Sequence, residues 1–383
     1  MRSHALPFRI TGTLGCRHAL RWVALSLLLL LLGQAVPAIA KEYAYVTDPA
    51  SIKIYPIISS PGGPSDRTLG QPTSKLLPEG LFALTIRLSR DGRNAYVVTV
   101  GRPREGSWLL RYAVDRTSGA LTLQDKVPAT LATGGLAISE KFVCMAHAGG
   151  SIFLPTWPSY AISCFARDPQ NGALRQVETF ALSTRPADLT FGPTDEFLYT
   201  TLYNRYEVAM LRLNATTGKL SWLRPPTVST KANPIPIVCN PIYPLCYEGN
   251  TAYQGTVGFY PINRDGTLNA PRIAQAGLYP GALAVHHSGK FLVVVNATSN
   301  TVMVFDAITG QLRATSPTGA SPQAVAFDPI GRPEGPVVYV GSRASSTIST
   351  FTIENGTGRL TLRGVVNAPT HPNSIATTPR LPQ

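Results

Sequence analysis

The chain has few charged residues and little acid. Of its 383 residues, 14% are charged, and 21 acidic residues stand against 34 basic ones. The basic residues are scattered, and no run of five or six lysines and arginines marks a nucleic-acid footprint. We therefore expect no nucleic-acid partner, whereas acidic glycans and membrane surfaces stay open as partners of low specificity.

Familiar catalytic and helical signatures are also missing. The sequence has no Gly-x-Ser-x-Gly elbow, no His-Glu-x-x-His zinc motif, no phosphate-binding glycine loop, no EF-hand pattern and no CxxC pair. These absences predict a protein without a metal site or cofactor. No long stretch combines 3.6-residue periodicity with helix caps, which favours an all-β fold.

The first forty residues read as a secretory signal peptide. Four arginines accompany an apolar run from Trp22 to Leu32, and small residues follow at Ala38 and Ala40. The run is much shorter than the roughly 20 residues of a spanning helix, and no later stretch suits a transmembrane segment. We expect cleavage after Ala40 and a secreted or periplasmic mature chain, residues 41–383. Cleavage removes four arginines and no acid, so the formal charge falls from +13 to +9.

Four cysteines remain in the predicted mature chain. An even count in an exported protein favours two disulfides, although three connectivities are formally open. Cys144 and Cys164 fall on neighbouring strands of one repeat, and Cys239 and Cys246 flank a proline-rich turn. We expect Cys144 to pair with Cys164 and Cys239 with Cys246.

A polar turn followed by Gly-x-Leu recurs six times. Its glycines are separated by 44 to 53 residues, the period of a propeller blade, at positions 119, 172, 218, 266, 310 and 358. Two strand-like segments precede each turn, as in Phe291–Asn296 and Thr301–Asp306, and continuous apolar runs of this kind suit strands buried on both faces. The pattern predicts six complete blades of four antiparallel strands.

The two ends of the chain supply the rest of a seventh blade. Tyr43–Thr47 and Ile52–Ile58 read as two strands, and Pro372–Thr377 matches an innermost strand. Pairing the last strand with the first would close a seven-bladed β-propeller without exposed sheet edges. An eight-bladed alternative would need a blade in residues 59–79, which read as a loop. A core of this size needs no obligate partner, so we expect a monomer.

Three phrases resemble the repeats of the seven-bladed β-propeller lactonase family. They are Leu88–Val98 (LSRDGRNAYVV), Phe291–Phe305 (FLVVVNATSNTVMVF) and Val337–Phe351 (VVYVGSRASSTISTF). That family includes propeller-type 6-phosphogluconolactonases and carboxy-muconate cyclases, and it shares its repeats with YVTN-type propellers. The resemblance implies hydrolysis of a lactone, such as the sugar lactone 6-phosphogluconolactone. The alternative is a non-catalytic propeller of the cell envelope that binds a protein, glycan or other ligand.

The resemblance also suggests site residues at the ends of second strands. His147, before Gly149-Gly150-Ser151, is the candidate general base, and Arg343 is the candidate for holding an acid group or oxyanion. The structural alternative for His147 is a loop residue satisfied by hydrogen bonds. The structural alternative for Arg343 is a surface residue or one that links neighbouring blades.

Further candidates stand where the sequence departs from the family. Arg185-Pro-Ala-Asp188 replaces a His-rich phrase, and Asn296 is followed by alanine instead of an acid. We expect Arg185, Asp188 and Asn296 to bind substrate, with a structural Arg185–Asp188 ion pair as the alternative. Trp157, in a proline-bracketed insertion, is an aromatic candidate for a channel mouth.

Overall fold

The repeat folds as a ring of seven antiparallel sheets. The computed structural model describes residues 41–58, 67–101, 106–129, 132–148, 160–252, 254–368 and 370–379. Residues 41–383 form one compact unit. The predicted signal peptide and Trp157 lie outside the described residues. Among the residues described, no helix is long and apolar enough to cross a membrane.

Blade 1 is built from both ends of the chain. Its strands, from the centre outward, are β29 (Ser374–Thr377), β1 (Tyr43–Thr47), β2 (Ser51–Ile58) and the short outer pair β3 (Thr68–Leu69) and β4 (Thr73–Leu76). β1 pairs antiparallel with β29, with Tyr45 opposite Ala376. The predicted closure of the ring by the two ends of the chain is confirmed.

Blades 2 to 7 each consist of four consecutive strands. Blade 2 holds β5 (Leu81–Leu88), β6 (Asn94–Gly101), β7 (Ser107–Val114) and β8 (Leu121–Ala129). Blade 3 holds β9 (Ala132–Ile138), β10 (Phe142–Ala148), β11 (Tyr160–Arg167) and β12 (Leu174–Ala181). Blade 4 holds β13 (Pro186–Phe191), β14 (Phe197–Leu202), β15 (Glu207–Leu213) and β16 (Leu220–Ser229).

The remaining three blades follow the same order. Blade 5 holds β17 (Pro234–Cys239), β18 (Leu245–Asn250), β19 (Thr256–Pro261) and β20 (Arg272–Gln275). Blade 6 holds β21 (Pro280–Val285), β22 (Phe291–Asn296), β23 (Thr301–Asp306) and β24 (Leu312–Pro317). Blade 7 holds β25 (Pro322–Phe327), β26 (Val337–Ser342), β27 (Thr347–Ile353) and β28 (Leu360–Asn367). The predicted count of seven blades is confirmed, and the one helical element described is a 3₁₀ turn at Tyr203–Arg205.

The sequence-based interpretation missed the outer strands of blade 1. Residues 59–79 were expected to be a loop, yet β4 pairs with β2 and aligns Lys75 with Ile52. An outer strand covers only one neighbour, and three of the four β4 residues are exposed. It therefore needs no apolar run, which is the signal that found the inner strands.

The hydrophobic core lies between blades. Seven apolar clusters are found in the described part of the chain, each joining two neighbouring blades. One of them joins blade 7 to blade 1 through Tyr339 and Ile375. Burial of both faces of the second strands explains their continuous β-branched and aromatic sequence.

A tyrosine on the second strand ties five of the blades to the next. Its hydroxyl donates to a backbone carbonyl at 2.7 to 3.1 Å, in the pairs Tyr45–Gly119, Tyr96–Gly172, Tyr199–Gly266, Tyr247–Ala307 and Tyr339–Arg67. In three of these pairs the acceptor is the glycine of a Gly-x-Leu turn. These turns therefore accept hydrogen bonds from the preceding blade, in addition to ending the third strand.

Glycine is required at these turns for two reasons. Gly266 has a φ of 88°, which side-chain-bearing residues rarely adopt. A Cβ at this position would lie 2.1 Å from the Phe197 ring. The repeated glycine thus permits both the turn and the close approach of the preceding blade.

Both expected disulfides are present. Cys144 of β10 is bonded to Cys164 of β11, and Cys239 of β17 is bonded to Cys246 of β18. Each bond crosses a pair of adjacent strands within one blade, in register.

Candidate functional site

The first strands of all seven blades surround a central channel. Its cavity volume is about 610 Å³, and its wall contains residues from β5, β9, β13, β17, β21, β25 and β29. The ends of the second strands lie at the same face of the ring as the starts of these first strands, because the two are antiparallel neighbours. The Gly-x-Leu turns lie at the opposite face.

The channel wall carries both apolar and polar residues. Small and apolar residues such as Pro236, Ala282 and Ala324 line it in blades 5, 6 and 7. The polar side chains that line the channel are Thr85, Arg87, Arg90, Asp188, Thr190, Asp195, Asn240, Gln323, Asn373 and Ser374. The charged ones are two arginines and two aspartates.

Asp188 is held firmly on β13. Its Oδ1 accepts a hydrogen bond from the Leu189 N–H at 2.9 Å, and its Oδ2 accepts one from the Ile237 N–H at 3.2 Å. Burial in the ring raises the pKa of the Asp188 carboxyl to about 6, although Arg87 and the two N–H groups act in the opposite direction. A carboxyl group with this pKa is ionised at neutral pH and still basic enough to accept a proton.

Arg87 on β5 is the cation that acts on Asp188 across the channel. Its Nη1 donates to the Ile86 carbonyl at 3.0 Å and to Ser374 Oγ at 3.2 Å. The side chain is exposed to solvent inside the channel, and enclosure by the ring lowers the pKa of its guanidinium group. The interaction with Asp188 acts through space, since no N–O contact of 4.0 Å or less joins the two within the described structure.

A second charge pair lies at the end of the channel nearer the Gly-x-Leu face. Arg90, between β5 and β6, contacts Asp195, between β13 and β14, with Nη2 and Oδ1 2.8 Å apart. The pair joins blade 2 to blade 4 and so passes over the turn of blade 3. Arg90 is largely exposed, so the pair contributes little stability.

His147 does not line the channel. It lies one residue before the end of β10 with 0% exposure, and its Nε2 shares a hydrogen bond with Ser163 Oγ at 2.9 Å. Ser163 in turn lies 3.1 Å from Thr179 Oγ1. Burial lowers the pKa of His147 to about 4, so the ring is neutral at physiological pH.

Similar buried polar residues lie at or near the ends of several second strands. Thr99, His147, Asn250, Asn296 and Ser342 all have 0% exposure. The Asn296 amide donates to Thr301 Oγ1 at 3.1 Å, on the next strand of its own blade. Asn296 is therefore buried and bonded within its own blade, and it is absent from the described channel wall.

The two remaining predicted site residues lie in exposed segments. The Arg343 N–H donates to the Ser321 carbonyl at 2.8 Å, and Arg185 immediately precedes β13. Neither belongs to the described channel wall. The structure thus brings one of the five predicted site residues, Asp188, into the channel, and there Asp188 interacts with Arg87. No Arg185–Asp188 ion pair is found among the described residues.

Sequence reasoning missed Arg87 and the buried acid Glu248. Arg87 stands in an apolar first strand, Leu81–Leu88, and a lone charge in such a strand was an available signal. Glu248 is 0% exposed on β18, where its Oε2 accepts hydrogen bonds from Asn250 Nδ2 at 3.1 Å and Tyr260 Oη at 3.3 Å. Burial raises the pKa of Glu248 to about 8, so it is protonated at neutral pH. It does not line the channel.

No group of His, Cys, Asp and Glu residues suited to a metal ion occurs in the described part of the chain.

Comparison with known proteins supports the resemblance found in the sequence. The model of the family "Lactonase, 7-bladed beta-propeller" matches residues 129–235, less than half of the chain. The resemblance to the propeller lactonase family is thereby confirmed. A search of curated proteins finds no match.

Solved structures share the fold at low identity. The periplasmic gluconolactonase PpgL of Pseudomonas aeruginosa is 17% identical with a TM-score of 0.72, covering 88% of this chain and 99% of that one. A putative 6-phosphogluconolactonase of Bacteroides fragilis is 18% identical with a TM-score of 0.69, covering 90% and 99%. One from Bacteroides uniformis is 18% identical with a TM-score of 0.70, covering 88% and 99%. At this identity the likeness establishes the fold alone.

Proposed function

We propose that the protein hydrolyses a lactone in its central channel, with Asp188 as the general base and Arg87 as the group that stabilises the oxyanion. The observation that carries the proposal is the placement of these two side chains on the wall of one channel, with opposite charges that act on each other. A base and a charged donor are the two groups that ester hydrolysis needs.

The reaction can be written with these two groups alone. Asp188 takes a proton from a water molecule as the water oxygen bonds to the lactone carbonyl carbon. The negative charge that develops on the carbonyl oxygen is stabilised by the Arg87 guanidinium. The ring C–O bond then breaks, the departing oxygen takes the proton back from Asp188, and the product is a hydroxy acid.

The family resemblance favours a sugar lactone as the substrate. The similar structures include one named as a gluconolactonase and two named as putative 6-phosphogluconolactonases. We propose gluconolactone or 6-phosphogluconolactone as the first substrates to test. His147 and Arg343 stay predicted site residues, and the same assay tests them.

The test compares variants of residues 41–383 in a lactone hydrolysis assay. We expect Asp188→Asn to lower kcat/KM by about 10²- to 10⁴-fold, the usual contribution of a general base. Arg87→Gln should also lower it, whereas Glu79→Gln, which removes a surface charge, should not. Loss of activity in His147→Ala, with full activity in Asp188→Asn, would contradict Asp188 as the base and favour His147, on the second strand of blade 3. Absence of turnover of every sugar and muconate lactone would leave a ligand-binding propeller as the better account.

We also propose that the chain is exported and cleaved after Ala40. Disulfides persist in oxidising compartments, and the two disulfides here support that location. The N-terminal sequence of protein recovered from a periplasmic or culture fraction tests this. A mature chain that begins at Lys41 supports the proposal, and an intact Met1 terminus contradicts it.

A further inference from the structure

One edge of the Arg87 guanidinium has no hydrogen-bond partner among the described residues. Nη1 is held by Ile86 and Ser374, while no bond is found there for Nε and Nη2. The side chain is exposed to channel solvent rather than packed against protein. A guanidinium held at one corner, with its other donors open to a cavity, is suited to a planar carboxylate.

The anchor of this arginine comes from the far end of the chain. Ser374 lies on β29, the strand that closes the ring, and its Oγ also accepts from the Ile86 N–H at 3.4 Å. Asn373, one residue earlier, donates from Nδ2 to the Ala83 carbonyl at 3.0 Å. β29 is thus bonded to β5 directly beneath Arg87, so ring closure sets the position of the guanidinium.

Asp188 is the acid that acts on this cation. It lies between the first strands of blades 3 and 5, and the residues of those strands in contact with it are the uncharged Gly135 and Ile237. Among the described residues of the channel wall, the other charged groups are Arg90 and Asp195, which contact each other near the opposite end. An anion bound at Arg87 therefore has one carboxylate nearby, that of Asp188. The charge of Asp188 depends on pH.

We propose that Arg87, positioned by Ser374, forms a binding subsite for the carboxylate of a small hydroxy acid, and that ionisation of Asp188 expels this acid from the channel. The inference rests on the proposed function, because such an acid is the product of lactone hydrolysis. A neutral lactone becomes an anion when it is opened, so an ionised Asp188 repels the product and not the substrate. The same group would then serve both proton transfer and product release.

The direction of the pH effect follows from the groups involved. The acid itself is ionised above about pH 5, and Arg87 is charged throughout this range. Below the pKa of Asp188 the subsite has one positive charge and binds the anion. Above it the aspartate charge opposes the anion, and binding weakens.

The test is calorimetric titration of gluconate into residues 41–383 at about pH 5 and about pH 8, with sorbitol as the uncharged comparison. We expect gluconate to bind on the order of tenfold more weakly at the higher pH, and sorbitol to show no such change. Asp188→Asn should remove the pH effect and keep the tighter binding. Asp195→Asn should leave the effect in place, which separates the two acids.

Variants of the cation side complete the test. Arg87→Gln should abolish gluconate binding, and Ser374→Ala should weaken it at both pH values with an unchanged ratio. Ser374→Thr keeps a hydroxyl and should restore it. Lys219→Ala, which removes an exposed positive charge, is the matched control.

The two proposals fail in different ways. Equal gluconate affinity at the two pH values, no gluconate binding at either, or normal binding by Arg87→Gln would overturn the subsite whatever the hydrolysis assay gives. Binding that depends on pH and on Arg87, without lactone turnover, would support the subsite and contradict the proposed hydrolysis.

Discussion

The buried acid Glu248 should make the protein sensitive to alkali. Its pKa is raised from the ordinary 4.5 to about 8 because burial disfavours the charged form. The folded state therefore holds a proton that the unfolded state has lost between these pH values. The contribution to stability is complete below about pH 4.5 and is lost as the pH rises through about 8.

The size of the effect follows from the shift. Each pKa unit corresponds to about 1.4 kcal/mol, so the shift of Glu248 gives an upper limit of roughly 5 kcal/mol in the free energy of unfolding. The side chain is fully buried, so solvent does not screen this term. The slope is steepest between about pH 5 and about 8.

The substitution Glu248→Gln removes the titrating carboxyl group and keeps the size and shape of the side chain. Its amide oxygen can accept from Asn250 and Tyr260, as Oε2 does, but the new NH₂ takes the place of Oε1, which has no partner in the described structure. We expect a cost of about 1–3 kcal/mol at pH 5 from that unpaired donor. At pH 8 the variant should equal or exceed the wild type.

Urea unfolding of residues 41–383 at several pH values, with disulfides intact, measures this. Glu79→Gln, at an exposed site, is the control and should follow the wild type. Stability curves of wild type and Glu248→Gln that run parallel from pH 5 to pH 8 would refute the reasoning.

Three further predictions concern the ring. Tyr199→Phe leaves the Gly266 carbonyl unpaired and should lower the free energy of unfolding by about 1–3 kcal/mol, whereas Tyr206→Phe, at an exposed site, should not lower it. Equal urea midpoints for the two variants would contradict a stabilising role of the tyrosine hydrogen bonds. Replacing both Cys144 and Cys164 with serine opens a link across 20 residues and should cost about 3 kcal/mol in urea unfolding, and an unchanged midpoint would argue against it. Deletion of residues 373–383 removes β29 and should expose the edge of β1, giving rapid proteolysis; wild-type protease resistance would show that closure by β29 is dispensable.

The blade architecture was readable from the sequence because its determinants are local. A Gly-x-Leu turn and an apolar second strand lie within about 30 residues of each other, as Phe291–Asn296 and Gly310 illustrate. The disulfides were readable for the same reason. The outer strands of blade 1 were not, because exposed strands such as β4 need no apolar pattern.

The site was harder to predict because the channel is assembled from distant segments. Arg87 and its anchor Ser374 are separated by 287 residues, and the two meet only when the ring closes. His147 was chosen for its chemistry and family position, but it lies on a second strand, where its ring bonds to Ser163 and the first strand β9 separates it from the channel. Asp188 was identified through a departure from the family, yet its charged partner could not be found from sequence spacing.

The most direct test of the account is the pH dependence of kcat/KM for lactone hydrolysis. If Asp188 is the base, activity should rise with pH through an apparent pKa of about 6, and this limb should persist in His147→Ala. The Asp188→Asn variant should lack this rise of activity with pH. A profile without this limb, or one that is retained in Asp188→Asn, would contradict the assignment of the channel as the site of chemistry.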